Sequence, residues 1–222
     1  MTRPTRITII GNGSLGSFTS LLLAKMAPAY NWRIHLVDHD TVENHNLLNQ
    51  LYREEDVGKE KPEALLDILS TLAERAPVAS SVARVDSSSE LTGIVITLVD
   101  SMQARKEIFA ACAYNLSIPL YIEARSGEKG ALVYAFDPRD PDCVRRYEKT
   151  LYSDAVADPA PCATEQTIPI LWAVAAIIGK LVSRLSKQVV SKSEFVEALI
   201  GMDNLPNIST RVYTENRQLA SI

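Results

Sequence analysis

The chain has 222 residues, with 23 Lys and Arg against 27 Asp and Glu for a formal net charge of −4, and is 46% apolar. That balance belongs to a folded globular chain and excludes both a disordered segment and a basic nucleic-acid coat. At this length folding buries roughly 70–75% of the surface the unfolded chain exposes, so no disulfide staples are needed and one domain with appendages is expected.

Residues 6–10 are a β-rich run that Gly11 ends, and residues 17–26 carry Phe18, Leu21, Leu22 and Met26 at helical spacing. Residues 32–37 read as a second strand ending at Asp38, so the opening is a βαβ unit with a parallel strand pair. A helix is expected over 61–76, stopped by Pro77, then a short strand over 82–85. Residues 94–99 are a continuous apolar, β-branched run of the kind a parallel sheet buries on both faces, closed by Asp100. Ser101 caps a helix that runs to about 115. Strands at 120–124 and 131–136 flank the turn 126–130 as an antiparallel hairpin. Residues 137–141 and 152–161 are proline- and aspartate-rich loops around a short helix at 145–151. A largely apolar helix over 168–185 and a shorter helix over 194–202 follow, and the tail from Asp203 reads as a strand or an arm. The fold class is α/β: a Rossmann-like, doubly wound, mostly parallel sheet with an antiparallel extension and C-terminal helices.

The run at 168–182 contains Pro169, Trp172, Gly179 and Lys180 and falls short of the roughly 20 residues of a membrane span. With no leader-like segment ahead of Ile7, a soluble cytoplasmic protein is expected, with no membrane partner. Three cysteines fit a reducing compartment. Cys112, Cys143 and Cys162 form no CxxC pair and cannot build a four-cysteine zinc site, so no structural zinc is expected. Cys112 reads as core. The negative net charge argues against a nucleic-acid partner.

Gly11-Asn12-Gly13-Ser14-Leu15-Gly16 is a GxGxxG between a strand and a helix, where backbone N–H groups and the positive helix end receive a phosphate. Asp38, after the second strand, stands where a carboxylate accepts hydrogen bonds from ribose hydroxyls. By themselves these features point to a nicotinamide dinucleotide and an oxidoreductase. That reading leaves Lys61, Asp100 and Arg105 without a task.

Four further segments follow: Asp38-His39-Asp40-Thr41-Val42, Asn46-Leu47-Leu48-Asn49-Gln50, Val57-Gly58-Lys59-Glu60-Lys61, and Asp100 with Arg105 five residues on. Over about residues 6–185 the chain therefore resembles the ubiquitin-activating-enzyme superfamily and its bacterial ThiF/MoeB/HesA-type adenylyltransferases, whose pattern is a glycine loop, DxDxV, NLxRQ, VGxxK and DxxxxR. The resemblance implies adenylation, with ATP and Mg2+, of the C-terminal carboxylate of a ubiquitin-like or sulfur-carrier protein ending in Gly-Gly, or of a peptide. It implies a homodimer with composite sites. It also implies an adenylation domain over 1–186 with a crossover loop at about 151–167, and a C-terminal helix and tail over 187–222.

Carried over by position, Gly11, Gly13, Ser14 and Gly16 form the phosphate loop, Asp38 takes the ribose, and Asp40, Asn46 and Asn49 line the nucleotide pocket. Lys61 is the phosphate-binding lysine and Asp100 the magnesium ligand, with Arg105 holding Asp100 or the phosphates. Asn49 departs from the family arginine, which removes a cation; Arg53, one turn later, replaces it if residues 49–54 are helical. Relatives also carry an N-terminal arm, and here Arg3 and Arg6 are the residues at hand for its arginine. Cys162, in the crossover segment before the apolar helix, is the residue for thioester or persulfide formation. A non-catalytic nucleotide-binding scaffold is the rival that Asn49 favours.

Overall fold

The computed structural model describes residues 4–127, 130–153, 168–186, 194–201, 207–214 and 217–219. In chain order its elements are β1 (Thr5–Ile10), α1 (Ser14–Tyr30), β2 (Trp32–Asp38), α2 (Lys61–Leu72), β3 (Val78–Val82), β4 (Ile94–Thr97) and α3 (Met102–Cys112). The chain continues through β5 (Leu120–Gly127), β6 (Gly130–Phe136), α4 (Pro141–Glu148), α5 (Ile168–Ser186), β7 (Phe195–Gly201), β8 (Asn207–Thr214) and β9 (Arg217–Leu219). These strands form one sheet in the order β3-β2-β1-β4-β5-β6-β7-β8-β9. Pairing is parallel from β3 across to β5 and antiparallel from β5 to β9.

The chain winds outward from β1 through β2 to β3, then returns to lay β4 along the other side of β1. A reversal of this kind opens a crevice beyond the carboxyl ends of the two strands that straddle it. Side-chain alternation in β1 sends Ile7 and Ile9 to one face of the sheet and Ile10 to the other. The first face is covered by α1, α2 and α5, which contribute Leu23, Leu65, Leu69, Val174 and Ile178. Phe109 of α3 and Tyr147 of α4 cover the second, in an aromatic cluster with Tyr121 and Phe136. Burial on both faces is why β4 reads as an unbroken apolar run.

Helix α5 has a mean hydropathy of 1.7 over Ile168–Leu185, as a membrane span would. Here that apolar surface is spent on the core: Ile170, Leu171, Val174, Ile178 and Val182 are buried against the sheet and α1. Half-exposed Trp172 meets Phe18 of α1 edge-on, with ring centroids 5.1 Å apart.

Several expected elements shift. The helix expected over 194–202 is strand β7, paired with β6 from Phe136↔Phe195 to Gly130↔Gly201. Val196, Ala198 and Ile200 alternate onto the α5 face while Phe195 joins the aromatic face. The short strand lies at Val78–Val82 rather than 82–85, where β2 offers its edge. The expected helix at 145–151 begins earlier, because Asp140 accepts hydrogen bonds from the backbone N–H groups of Asp142 and Cys143 and Pro141 occupies the first turn. The tail from Asp203 contributes β8, paired to β7, so the described part of residues 187–222 continues the sheet.

Candidate nucleotide site

The glycine turn is shaped by close backbone approaches. Gly11 has φ +90, and a Cβ there would stand 2.6 Å from the Leu98 carbonyl oxygen of the neighbouring strand end. At Gly16 a Cβ would stand 2.0 Å from the Gly11 carbonyl oxygen, so the first turn of α1 packs directly on the loop that precedes it. Gly13 differs: a Cβ there would meet nothing within 4 Å. It is the N-cap of α1 and supplies no side-chain cap. The helix therefore presents uncapped N–H groups and the positive end of its dipole to open space.

Asp38 closes this corner from β2. Its Oδ2 accepts the Asn12 N–H at 2.5 Å, and its Oδ1 accepts the N–H groups of His39 at 2.7 Å and Asp40 at 3.0 Å. The carboxylate thus has a structural task in this corner, accepting three backbone N–H groups. Asp40, half exposed, holds the buried Lys61 by a 3.0 Å ion pair, and the Lys61 N–H donates to the Asp40 carbonyl at 2.8 Å. Behind this wall the Tyr52 hydroxyl donates to the Asn12 carbonyl at 2.7 Å, with a longer 3.3 Å contact to the Lys61 carbonyl. Burial, with Asp38, Asp40 and Asp56 nearby, holds that hydroxyl far above the ordinary tyrosine range, so it stays a donor.

Asn46 lies in a short 3-10 turn, Asn44–Leu48, where its Oδ1 accepts the Glu43 N–H at 2.9 Å. Asn49 is buried, and its Oδ1 has no partner among the described residues. Residues 49–54 are not a helix, and Arg53 does not replace the missing arginine. Its guanidinium turns to Asp56, Asp67 and Glu55, each at 2.8 Å, because it begins a separate 3-10 turn, Glu54–Asp56, that supplies two of these acids, while α2 supplies Asp67.

Asp100 ends the β4 segment and is exposed on the cavity wall. Ser101 caps α3, accepting the Ala104 N–H at 3.1 Å, as its sequence position predicts. Arg105 is buried; its Nη1 donates to the Asp100 carbonyl at 3.1 Å, its Nη2 to the Val99 carbonyl, and its Nε to Glu123 at 2.8 Å. The contact of Arg105 with Asp100 is thus to its main-chain carbonyl.

A cavity of about 680 Å³ opens at the strand reversal, a size typical of small-molecule sites. Gly11, Gly13, Ser14, Asp38, Asp40, Asn46, Asn49, Lys61, Asp100 and Arg105 all line it. The glycine turn, the segment that follows β2 and the start of α3 thus meet in one place, and of the predicted residues Gly16 and Arg53 do not line it. Cys162 lies outside the described residues, as does most of the crossover segment. Cys112 and Cys143 are buried, and desolvation pushes each thiol up to about 12, which removes both as nucleophiles at neutral pH. Sequence reasoning missed Tyr52, Glu123 and Arg84, the last an exposed arginine on the cavity wall that pairs with Glu107 at 3.4 Å. Glu123 had a signal: it is the one carboxylate in the apolar run Leu120-Tyr121-Ile122-Glu123-Ala124.

The ThiF family model matches residues 2–219. No curated protein sequence matches the chain. Among solved structures, PaaA is 19% identical with a TM-score of 0.68 over 95% of this chain and 72% of its own. Escherichia coli MccB with succinimide is 19% identical with a TM-score of 0.68, covering 95% of this chain and 64% of MccB. MccB with ATP is 20% identical at a TM-score of 0.66 over 96% of this chain and 64% of its own. The Microcin C7 biosynthetic enzyme MccB has also been solved in complex with N-formylated MccA; this form is 19% identical at a TM-score of 0.67, covering 96% of this chain and 65% of its own. The chain thus spans about two thirds of MccB, and these likenesses show a shared fold.

Proposed function

Because the chain belongs to the ThiF family, we propose that it is an ATP-dependent adenylyltransferase that activates the C-terminal carboxylate of a peptide or small protein. The observation that carries this reading is the meeting of Lys61, Asp100 and the uncapped start of α1 on one cavity at the strand reversal.

Adenylation brings two anions together, so the site must offset their repulsion. The carboxylate oxygen of the substrate attacks the α-phosphorus of ATP and forms an acyl-adenylate. The bond from that phosphorus to the bridging oxygen breaks, and pyrophosphate leaves with the electron pair. The N–H groups at Gly13 and Ser14 receive phosphate oxygens, and Lys61, aimed by Asp40, supplies the cation. Asp38 holds the ribose, and Asn46 and Asn49 line the pocket. Asp100 is the residue that would hold Mg2+, since an exposed carboxylate offers the hard oxygen that this ion takes beside phosphates and water. The ion supplies charge neutralisation at the departing phosphates.

A partner ending in Gly-Gly, of ubiquitin or sulfur-carrier type, is the substrate class the motif pattern favours, and a cytoplasmic homodimer belongs to the same proposal. Onward transfer to Cys162 is a further step, in which its thiolate attacks the acyl-adenylate, forms a thioester and releases AMP. Cys162→Ala should keep pyrophosphate exchange and lose the thiol-sensitive adduct.

The test is calorimetry of ATP with and without magnesium on wild type and Asp100→Ala, followed by ATP–pyrophosphate exchange with candidate carboxylates. Magnesium-dependent ATP binding that Asp100→Ala abolishes supports the reading. Tight NAD binding indifferent to magnesium and Asp100 would sink it. A second reading, nucleotide binding without catalysis, is favoured by Asn49 and by Arg53 being engaged elsewhere. Under it ATP binds and no carboxylate supports exchange.

A further inference from the structure

We infer that Glu123, which does not itself line the cavity, is a positioning residue for the nucleotide site, acting through Arg105 on Asp100. The inference rests on the adenylation reading above. Glu123 is fully buried in β5. Its Oε1 accepts Arg105 Nε at 2.8 Å, and its Oε2 accepts Arg125 Nε at 2.8 Å and the Tyr147 hydroxyl at 3.3 Å. A carboxylate buried so deeply is costly to desolvate, and its partners here are two guanidiniums whose Nε groups it anchors, which is its structural task.

That task is visible in where the two arginines go. Arg105 spans from Glu123 to the carbonyls of Val99 and Asp100, the point where the chain leaves β4 and turns into α3. A guanidinium is a planar fork, so anchoring its Nε edge fixes the direction of its other N–H groups. Glu123 thereby sets the backbone from which Asp100 projects. Arg125 fixes Glu123 in turn: its other nitrogens donate to Thr150 O at 2.8 Å and Thr150 Oγ1 at 3.1 Å, and it stacks 5.2 Å over the Tyr134 ring. The chain of contacts thus runs from a rigid strand core to the carboxylate expected to take the metal. Groups one step behind a metal ligand commonly govern metal affinity by about 10–100-fold.

The experiment measures two affinities on wild type, Glu123→Gln and Arg105→Lys: ATP across a magnesium titration, and AMP in chelator. Arg105→Lys should raise the magnesium concentration that half-saturates ATP binding by about 10-fold, and Glu123→Gln, one step further back, should raise it several-fold. AMP binding without metal, which does not use Asp100, should stay within about 2-fold in Glu123→Gln, a split that general loosening of the fold would not produce. Arg105→Lys keeps a charge beside Glu123 but lacks the fork; because Arg105 lines the cavity it is read on the magnesium midpoint alone, and an unchanged midpoint there overturns the inference even if Glu123→Gln does not fold. Equal weakening of both ligands, or no change in either, overturns the inference. Wild-type binding indifferent to magnesium overturns the adenylation reading together with this one. Magnesium-dependent wild-type binding with unaffected variants overturns this one alone.

Discussion

Gly13 and Gly16 sit three residues apart in one turn and should fail in opposite ways when replaced by alanine. At Gly16 the added Cβ would lie 2.0 Å from the Gly11 carbonyl oxygen, where real Cβ contacts stay beyond 3.0 Å. The obstacle is backbone, so relief needs a shift of about 1 Å in α1 against β1; forced overpacking costs about 1–3 kcal/mol, and this case belongs at the upper end. At about 2–4 °C per kcal/mol for a chain this long, the melting temperature of Gly16→Ala should fall by about 6–12 °C. Gly13→Ala meets nothing within 4 Å, so its melting temperature should stay within about 3 °C of wild type. Its Cβ instead fills the space that a phosphate needs to reach the start of α1, and ATP affinity should drop by about 10-fold or more, or about 1.4 kcal/mol. Scanning calorimetry and titration calorimetry on the two variants read both numbers. Gly16→Ala melting like wild type, or Gly13→Ala binding ATP like wild type, would refute the reasoning.

Lys61→Met removes the buried cation that Asp40 holds at 3.0 Å, and should weaken ATP by about 10-fold or more while adenosine binding stays near wild type; equal losses for both ligands in a titration would contradict a phosphate role. Tyr52→Phe deletes the hydroxyl that donates to the Asn12 carbonyl and leaves that acceptor buried, so chemical denaturation should show a loss of about 1–3 kcal/mol. Hydrogen bonds from Arg53, with Lys59 also in contact, hold Asp56 well below the ordinary carboxylate value of 3.8. A depressed folded-state value stabilises the fold above the unfolded value and is lost as pH falls through the folded one. The difference in melting temperature between wild type and Arg53→Met should therefore be full at neutral pH and shrink once pH drops below about 4; a difference that grows in acid would rule this out.

Much of the candidate site could be read from the chain because its parts are local. A glycine turn between strand and helix, a carboxylate ending a buried strand and a serine cap are set by neighbouring residues, so Gly11, Asp38 and Ser101 could be placed before any fold was known. The doubly wound order was legible for the same reason, since strands and helices alternate from β1 to β3 and again from β4 to β5. Tertiary structure decided what local pattern leaves open. Residues 195–200 carry apolar side chains at spacings that suit either a helix or a strand, and the free edge of β6 selects the strand. Arg53 stands where a helical turn would aim it at the phosphates, yet Asp67, 14 residues on, lies within reach and holds it away. Glu123 and Arg105 are 18 residues apart and meet only because β5 lies beside β4, so the link between the buried charge and Asp100 is a product of strand pairing.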